Sequence, residues 1–478
     1  MFSAIGGLGA GGTQDVALSD TANGVLYGCF AIAGFFAGSI NNILGVRLTL
    51  SLGTTGYSLY IGSLWCYQVN GTRWFLIFAG AVLGVTAALL WAAQGVVMMS
   101  YPLEKDKGTS FTLFWTIFQM GTLVGSAIAL GIEIDSTLPS VSTTVYIVFM
   151  IIMLTAILSS WLILPSHLVV RGDNTIVELE DAISPQAEFR EFGKLFKDWR
   201  MIALFPMFFC SNYFYAYQGA ITSVLFNGRT RALTALLAGL GSTIGSILIG
   251  ILTDRLPFAR RKRAIWSWTF VLLLSIMIWS AGLAFQLKFT RADKVIKGVA
   301  IPWDWTQNVS TGPMILIMGY YIADAAFQGL AYYTMSSMSN NPFKLARMAG
   351  YYKGVQSAGA AISFGMDAVK TAYLGEILVS WLLLMVSMPL CLWVLWSVRD
   401  TNYDVEGVTR VEDVNGDAAK GLGNGHGEVV VGREDGMEGG RTERDGDGKM
   451  GHTAEDKELL PSSELSASDL KVLDVVGG

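Results

Sequence analysis

The sequence predicts an all-α polytopic membrane protein, built as two similar groups of helices followed by a polar tail. Three observations carry this. The chain of 478 residues is 52% hydrophobic and only 15% charged, with 54 glycines and a positive mean hydropathy. Its charge is unevenly spread: residues 399–478 hold 28 of the 71 Asp, Glu, Lys and Arg, and residues 1–398 hold 43, about 11%. Apolar runs long enough to cross a ~30 Å hydrocarbon core recur eleven times before residue 400. This composition excludes a secreted disulfide scaffold, a nucleic-acid binder and a cytosolic enzyme. The body carries 24 Lys+Arg against 19 Asp+Glu and the tail 9 against 19, so the net charge of −5 belongs to the tail.

The runs are 22–43, 48–67, 74–100, 108–132, 142–164, 201–226, 232–253, 264–287, 313–338, 348–372 and 374–398. Backbone polar groups cannot stay open in lipid, so each is expected to be a helix. Alternate loops divide the basic residues 15 to 8. The richer set, from Arg47 through Lys105, Lys107, the 171–200 loop and Arg255–Arg263 to Lys344 and Arg347, is expected in the cytoplasm. Two glycosylation sequons, Asn70-Gly-Thr72 and Asn308-Val-Ser310, fall in the poorer set, on the expected outside. This orientation places Met1 outside, yet the first 20 residues are glycine-rich without a basic n-region and are no signal peptide. An even number of spans would remove the conflict, so one further helix upstream is expected. The cysteines, Cys29, Cys66, Cys210 and Cys391, all lie in apolar runs and read as buried thiols. No cofactor or metal site is expected, because the three histidines are scattered.

An internal repeat organises the body. Gly38-Ser-Ile-Asn-Asn42-Ile-Leu-Gly45-Val-Arg47 ends the first run, and Gly250-Ile-Leu-Thr-Asp254-Arg255 ends the seventh, before Arg260 and Arg261. Ala92-Ala-Gln94-Gly95 matches Ala326-Phe-Gln328-Gly329, and Gln119 matches Gln356. The expected organisation is a first half at 1–164, a linker at 165–200, a second half at 201–398 and a disordered acidic tail at 399–478. The glycine–acid–arginine loop after the second helix of each half resembles the signature of the major facilitator superfamily, in which it clamps helix ends and helps gate alternating access. The copy with Gly250, Asp254 and Arg255 is close to that pattern. The copy with Gly38 and Arg47 has Asn42 in place of the acid. Within that superfamily the chain resembles the fungal branch of the Unc-ninety-three, ion-channel-regulator-like family. Phe208-Phe-Cys-Ser-Asn212-Tyr-Phe-Tyr-Ala-Tyr217-Gln218, Asn227-Gly-Arg229-Thr-Arg231 and Leu345-Ala-Arg347-Met-Ala-Gly350-Tyr-Tyr-Lys353-Gly-Val-Gln356 carry the resemblance. It covers about 1–405 and implies a major-facilitator fold of twelve helices, the first of which is absent here.

A carrier needs polar groups near mid-membrane, where an ionisable side chain is a functional candidate by default. Asp324 is centred in its run, and Tyr320, Asp324, Gln328 and Tyr332 recur every four residues. Asp324 is expected to take a proton or bind a cation. The structural alternative is an ion pair with Lys353. Gln356, Asn212, Tyr215, Gln94 and Gln119 are candidates for lining a substrate path, or equally for gluing helices together. Lys353 is expected to snorkel toward the cytoplasm, and Asp367 to pair with Lys370 at i,i+3. Ser184 and Pro185 begin an amphipathic helix with Phe189, Phe192, Phe196 and Trp199 on one side, expected to lie on the membrane surface. Glu455-Asp-Lys-Glu-Leu459-Leu460 resembles an acidic dileucine sorting signal, which would direct the protein to a vacuolar or endosomal rather than the plasma membrane. The leading expectation is a multi-pass carrier of an unidentified small solute or ion, with protons the natural coupling ion. The alternative is a non-transporting accessory, trafficking or channel-regulatory protein with a membrane-protein partner. A membrane-embedded enzyme is not expected, since no nucleophile–base pair or metal motif lies in the runs.

Overall fold

Each of the eleven apolar runs is mainly helical over its described residues, and most of the helices extend beyond the run at one end or both. The computed structural model describes residues 2–7, 16–133, 143–177, 185–403 and 406. The acidic tail and its dileucine segment lie outside these, apart from the tail's first residues. A short helix α1 (Phe2–Gly7) precedes α2 (Val16–Leu44), α3 (Val46–Asn70), α4 (Arg73–Ser100), α5 (Lys107–Glu133) and α6 (Thr143–Ser159). The linker helix α7 (Pro185–Leu195) leads to α8 (Trp199–Cys210), α9 (Tyr215–Leu225), α10 (Gly228–Asp254) and α11 (Arg260–Gln286). A small antiparallel hairpin, β1 (Val295–Ile296) and β2 (Val299–Ala300), precedes α12 (Asn308–Ser337), α13 (Pro342–Ala368) and α14 (Tyr373–Trp396).

The helix ends follow from local chemistry. Asp198, Asn227 and Asn341 cap α8, α10 and α13 by accepting from the backbone N–H groups of Arg200, Thr230 and Lys344. Pro342 follows at the first turn of α13. Gly71, in the left-handed region at φ 68°, closes α3. The expected single span at 201–226 is instead two helices. Pro206 removes one donor from α8, and at 211–213 the bonds tighten to the i→i+3 pattern: Ser211 N donates to Phe208 O and Tyr213 N to Cys210 O.

Among the described residues, eight helices (α2, α4, α5, α6, α10, α11, α12 and α14) are long and apolar enough to cross a membrane unaided. The protein is therefore a multi-pass integral membrane protein. Large apolar side chains such as Leu113, Leu273, Ile315 and Leu382 are exposed and do not line the cavity described below, as lipid contact requires. The interior divides into two main apolar clusters. One runs from Ala4 to Met153; the other draws on α8–α14 together with Met98, Met99, Phe111 and Trp115. The helix groups meet along two seams, α2 against α13 and α5 against α10. The first seam is closed by glycine: a Cβ at Gly34 would lie 2.6 Å from the Gly354 Cα, and one at Gly38 would overlap the Ala346 carbonyl.

Candidate functional site

A cavity of about 1120 Å³ lies between the helix groups. It extends from Asp20, Arg291 and Asp367 to Asp324 and Lys353, which sit near the midpoints of α12 and α13. At its floor the polar side chains form one chain of hydrogen bonds. Asp324 Oδ2 accepts from the Tyr215 hydroxyl at 2.7 Å, and Oδ1 from Gln328 Nε2 at 2.9 Å. Gln328 Oε1 accepts from Gln356 Nε2 at 3.2 Å, and Gln356 Oε1 from Lys353 Nζ at 2.7 Å. Both amides thus point their N–H toward the carboxylate and their oxygen toward the ammonium. Asp324, Gln328, Lys353 and Gln356 are each 2–3% exposed, so the network must be internally satisfied to be tolerated.

The direct Asp324–Lys353 ion pair is not formed; two glutamines separate the charges. Nor does Lys353 snorkel. Its ammonium lies 4.4 Å from the Trp91 ring centroid and 4.9 Å from that of Tyr352, a cation–π cage that holds it at mid-helix. The α8–α9 break supplies Ser211, whose hydroxyl lies 2.7 Å from the Tyr352 hydroxyl and 3.0 Å from Gln356 Nε2. Ser211 and Trp91 are functional neighbours that the sequence reading missed. Ser211 was legible only as the neighbour of Asn212, and Trp91 only as one more aromatic in an apolar run.

Seven of the nine path candidates line this cavity: Asp324, Gln328, Gln356, Lys353, Asn212, Tyr215 and Gln119. Tyr320 does not. The helical drift of its four-residue series turns it away, and its ring packs 4.9 Å from Trp279 of α11. Gln94 is also off the cavity, with Nε2 directed at Met98 Sδ, 3.6 Å away. Asp367 pairs with Arg291 and not with Lys370, and Arg291 also holds Glu376 at 2.6 Å and lies 3.9 Å from the Tyr373 centroid. Burial opposes the Arg291 charge, but these carboxylates outweigh it and hold the guanidinium above its ordinary pKa. Among the described residues, no three of His, Cys, Asp and Glu are placed to hold a metal ion. All four cysteines are free; Cys210 and Cys391 are fully buried, while Cys29 and Cys66 are only partly so.

The end of the bundle that carries the basic loops is closed. Asp254 accepts from Gly108 N and from the Thr109 backbone and hydroxyl, so it caps α5 across the α5–α10 seam. Gly250 lets α5 approach; a Cβ there would overlap the Thr112 hydroxyl. Arg255 is exposed, and Arg260 takes the ion-pairing part, bonding Glu104 at 2.5 Å. At the other seam, Asn42 donates to Phe343 O at 3.1 Å and to Glu188 Oε1 at 2.9 Å. Glu188, 1% exposed, also receives both ends of the Arg347 guanidinium at 2.8 and 3.0 Å. The acid that the first signature lacks is thus supplied by the linker helix. The linker helix α7 touches the α2–α13 seam through Phe192, which packs on Phe36, while Phe189, Phe196 and Trp199 of its expected apolar side are exposed. Arg47 donates to Ile163 O at 2.6 Å. Lys107, 4% exposed, donates to Ser339 O and Asn340 Oδ1 at 2.9 and 2.7 Å. The start of the tail joins this closure: Glu104 accepts from Thr401 and Asn402, and Glu406 from Ser339 and Asn340. Asn70 and Asn308 are both exposed, at the C-terminal end of α3 and the N-terminal end of α12.

Comparison with known proteins places this architecture. The chain is similar to a proton:xylose symporter, XylE, with a TM-score of 0.54 and 11% identity over 87% of this chain and 97% of that one. It is similar to the transporter FucP in its outward conformation, with a TM-score of 0.52 and 13% identity over 82% and 97%. At these identities the likeness shows the fold alone: the major facilitator fold. In sequence it is 40% identical over 398 residues to a UNC93-like protein of Schizosaccharomyces pombe, covering 83% of this chain and 79% of that protein. It is 36% identical over 407 residues to UNC93-like protein 1 of Arabidopsis thaliana, covering 84% and 88%. The family model described as ion channel regulatory protein UNC-93 matches residues 20–386, and the chain belongs to that family.

Proposed function

We propose that this protein is a secondary carrier that moves a small solute by alternating access, coupled to a proton at Asp324. The observation that carries the reading is the aligned chain from Asp324 through Gln328 and Gln356 to Lys353 on the cavity floor. An ionised group at mid-membrane is costly and is retained where it works. Proton uptake by Asp324 removes the anion from one end of the chain. The Lys353 ammonium then keeps its amide and its aromatic cage but loses the distant counter-charge, so the hydrogen bonds joining α9, α12 and α13 are reset together. The halves, 1–164 and 201–398, rock on the α2–α13 and α5–α10 seams. The bias of basic residues supports a cytoplasmic basic end, and with it external glycosylation at Asn70 and Asn308. Two structural neighbours, a fucose:proton symporter and a proton:xylose symporter, support the coupling ion by analogy of fold.

The test is a distance measurement in liposomes. Spin labels at positions 105 and 262, both exposed at the basic end, are introduced after the four native cysteines are replaced. Two distance populations are expected, with a ratio that changes between pH 8 and pH 5 in the parent and not in Asp324→Asn. A single distance, unmoved by pH, overturns the carrier reading. The second reading, a channel-regulatory protein that does not transport, is favoured by the family's description. It predicts that single distance together with a membrane-protein partner retained in fixed stoichiometry.

A further inference from the structure

The cavity also carries information about what it accepts. Five of its six charged lining residues are engaged within the protein. Asp324 holds Tyr215 and Gln328, Lys353 holds Gln356, Arg291 holds Asp367, and Arg231 donates to the Phe226 carbonyl at 2.9 Å. The sixth, Asp20, is partly exposed. The buried lining atoms without a hydrogen-bond partner are of a different kind. They are the Trp115 indole Nε1, the Asn212 Oδ1 and both amide atoms of Gln218. All are neutral, and between them they offer donors and acceptors. Trp115 and Gln218 are each 3% exposed, so bulk water does not readily serve them. A buried polar atom left unpaired costs free energy that a ligand with matching groups removes.

Their placement is equally informative. Trp115 comes from α5, and Asn212 and Gln218 flank Tyr215 at i−3 and i+3 around the α8–α9 break. The neutral groups therefore bracket the residue that bonds Asp324, and they approach it from both helix groups. Flat aromatic faces complete the wall: Phe114 and Phe118 stack at 15° and Tyr215 and Tyr321 at 18°. Amides with aromatic faces suit a molecule that is polar at its edges and apolar on its C–H faces.

We propose that the cavity binds an uncharged polyhydroxylated solute, a sugar or polyol, through Gln218, Asn212 and Trp115. The inference rests on the carrier reading and names its substrate class. A solute bound there bridges the two helix groups next to Tyr215, so its arrival and the protonation of Asp324 act on one hydrogen-bond network.

The test uses purified full-length protein and proteoliposomes with an acid-outside gradient. Glucose, xylose, sorbitol and inositol form the neutral panel; choline, arginine, glutamate and succinate form the charged panel. At least one neutral solute is expected to raise the melting temperature and to accumulate. Gln218→Leu is expected to weaken its binding tenfold or more. Gln218→Glu, of the same size, keeps the acceptor, loses the amide donor and guards against a folding defect; a several-fold loss is expected. Stabilisation and uptake of charged solutes alone would overturn the substrate class and leave the carrier standing. Unchanged binding of a neutral solute in both variants would overturn the assigned residues. No uptake from either panel, while the labels at 105 and 262 still switch with pH, overturns the substrate class alone. No uptake with no switching overturns the carrier reading and this inference with it.

Discussion

Replacing Glu188 with glutamine tests how the basic end is held shut. The carboxylate is 1% exposed and takes a bidentate bond from Arg347, itself 7% exposed, while also accepting from Asn42. It joins three elements: the linker helix, the end of α2 and the start of α13. Glutamine keeps the shape and one acceptor but leaves the Arg347 guanidinium buried beside a neutral group. Removing one partner of a buried ion pair typically costs about 3–5 kcal/mol. At about 1.4 kcal/mol per factor of ten, even the lower figure shifts the closed-to-open ratio by roughly 100-fold. The pair exists only while the α2–α13 seam is closed at this end, so the cost falls on that state. Spin labels at 105 and 262 should therefore move from a dominant short distance to a dominant long one. Adding Arg347→Gln should recover part of the shift, because no charge is then stranded. Superimposable distance distributions for parent and Glu188→Gln, with equal melting temperatures, would refute the idea that this contact holds the gate.

Other changes probe the remaining contacts. Asp254→Ala removes the cap from α5 and should cost about 1–2 kcal/mol, read as a lower melting temperature and a larger open population by the same labels. Gly38→Val places a side chain on the Ala346 carbonyl; overpacking of about 1–3 kcal/mol or more should appear as poor yield and early melting, with Gly24→Val, which has open space, as the unaffected control. Asp304, in the loop after β2, is held well below the ordinary carboxylate range by the Arg229 guanidinium and then by Asn227 and Thr306. Its contribution is present at pH values above its ordinary pKa and is lost only as pH falls through the depressed one. Protection of the amides at 227–231, corrected for the intrinsic pH dependence of exchange, should thus be equal at pH 7 and pH 5, and lower at both in Asp304→Ala.

Much of the architecture was legible because lipid imposes one rule on every span. A run of apolar residues has to become a helix, so the eleven runs and the basic bias of alternate loops could be read directly. Four-residue spacing also placed Asp324 and Gln328 on one face of α12. What escaped were decisions made by tertiary contact. Glu188 looks in sequence like any solvated acid on an amphipathic helix, and nothing local says that Arg347, 159 residues away, will bury it. Tyr320 shares the four-residue series with Asp324, yet four residues overshoot a 3.6-residue turn slightly and carry its ring into α11. The break at 211–214 contains neither glycine nor proline, so only Pro206, one turn earlier, hinted at it. Asp367 had two basic candidates within reach of the same end of the bundle. Sequence proximity favoured Lys370, and the loop after α11 brought Arg291 instead.

The composition of α13 bears on how the molecule enters its membrane. This helix carries Lys344, Arg347, Lys353 and Asp367, and it is not among the helices apolar enough to cross unaided. A charge near the centre of a lone helix costs about 2.5–3.5 kcal/mol on insertion scales. Lys353 alone therefore offsets the gain from several leucines. In the finished protein that ammonium is buried: Trp91 of α4, Tyr332 of α12 and Tyr352 and Gln356 of α13 itself stand around it. Insertion of α13 must then be a late, assisted event. It crosses as a guest of helices already in place, and the polar face that serves the cavity is the same face that ties its biogenesis to theirs.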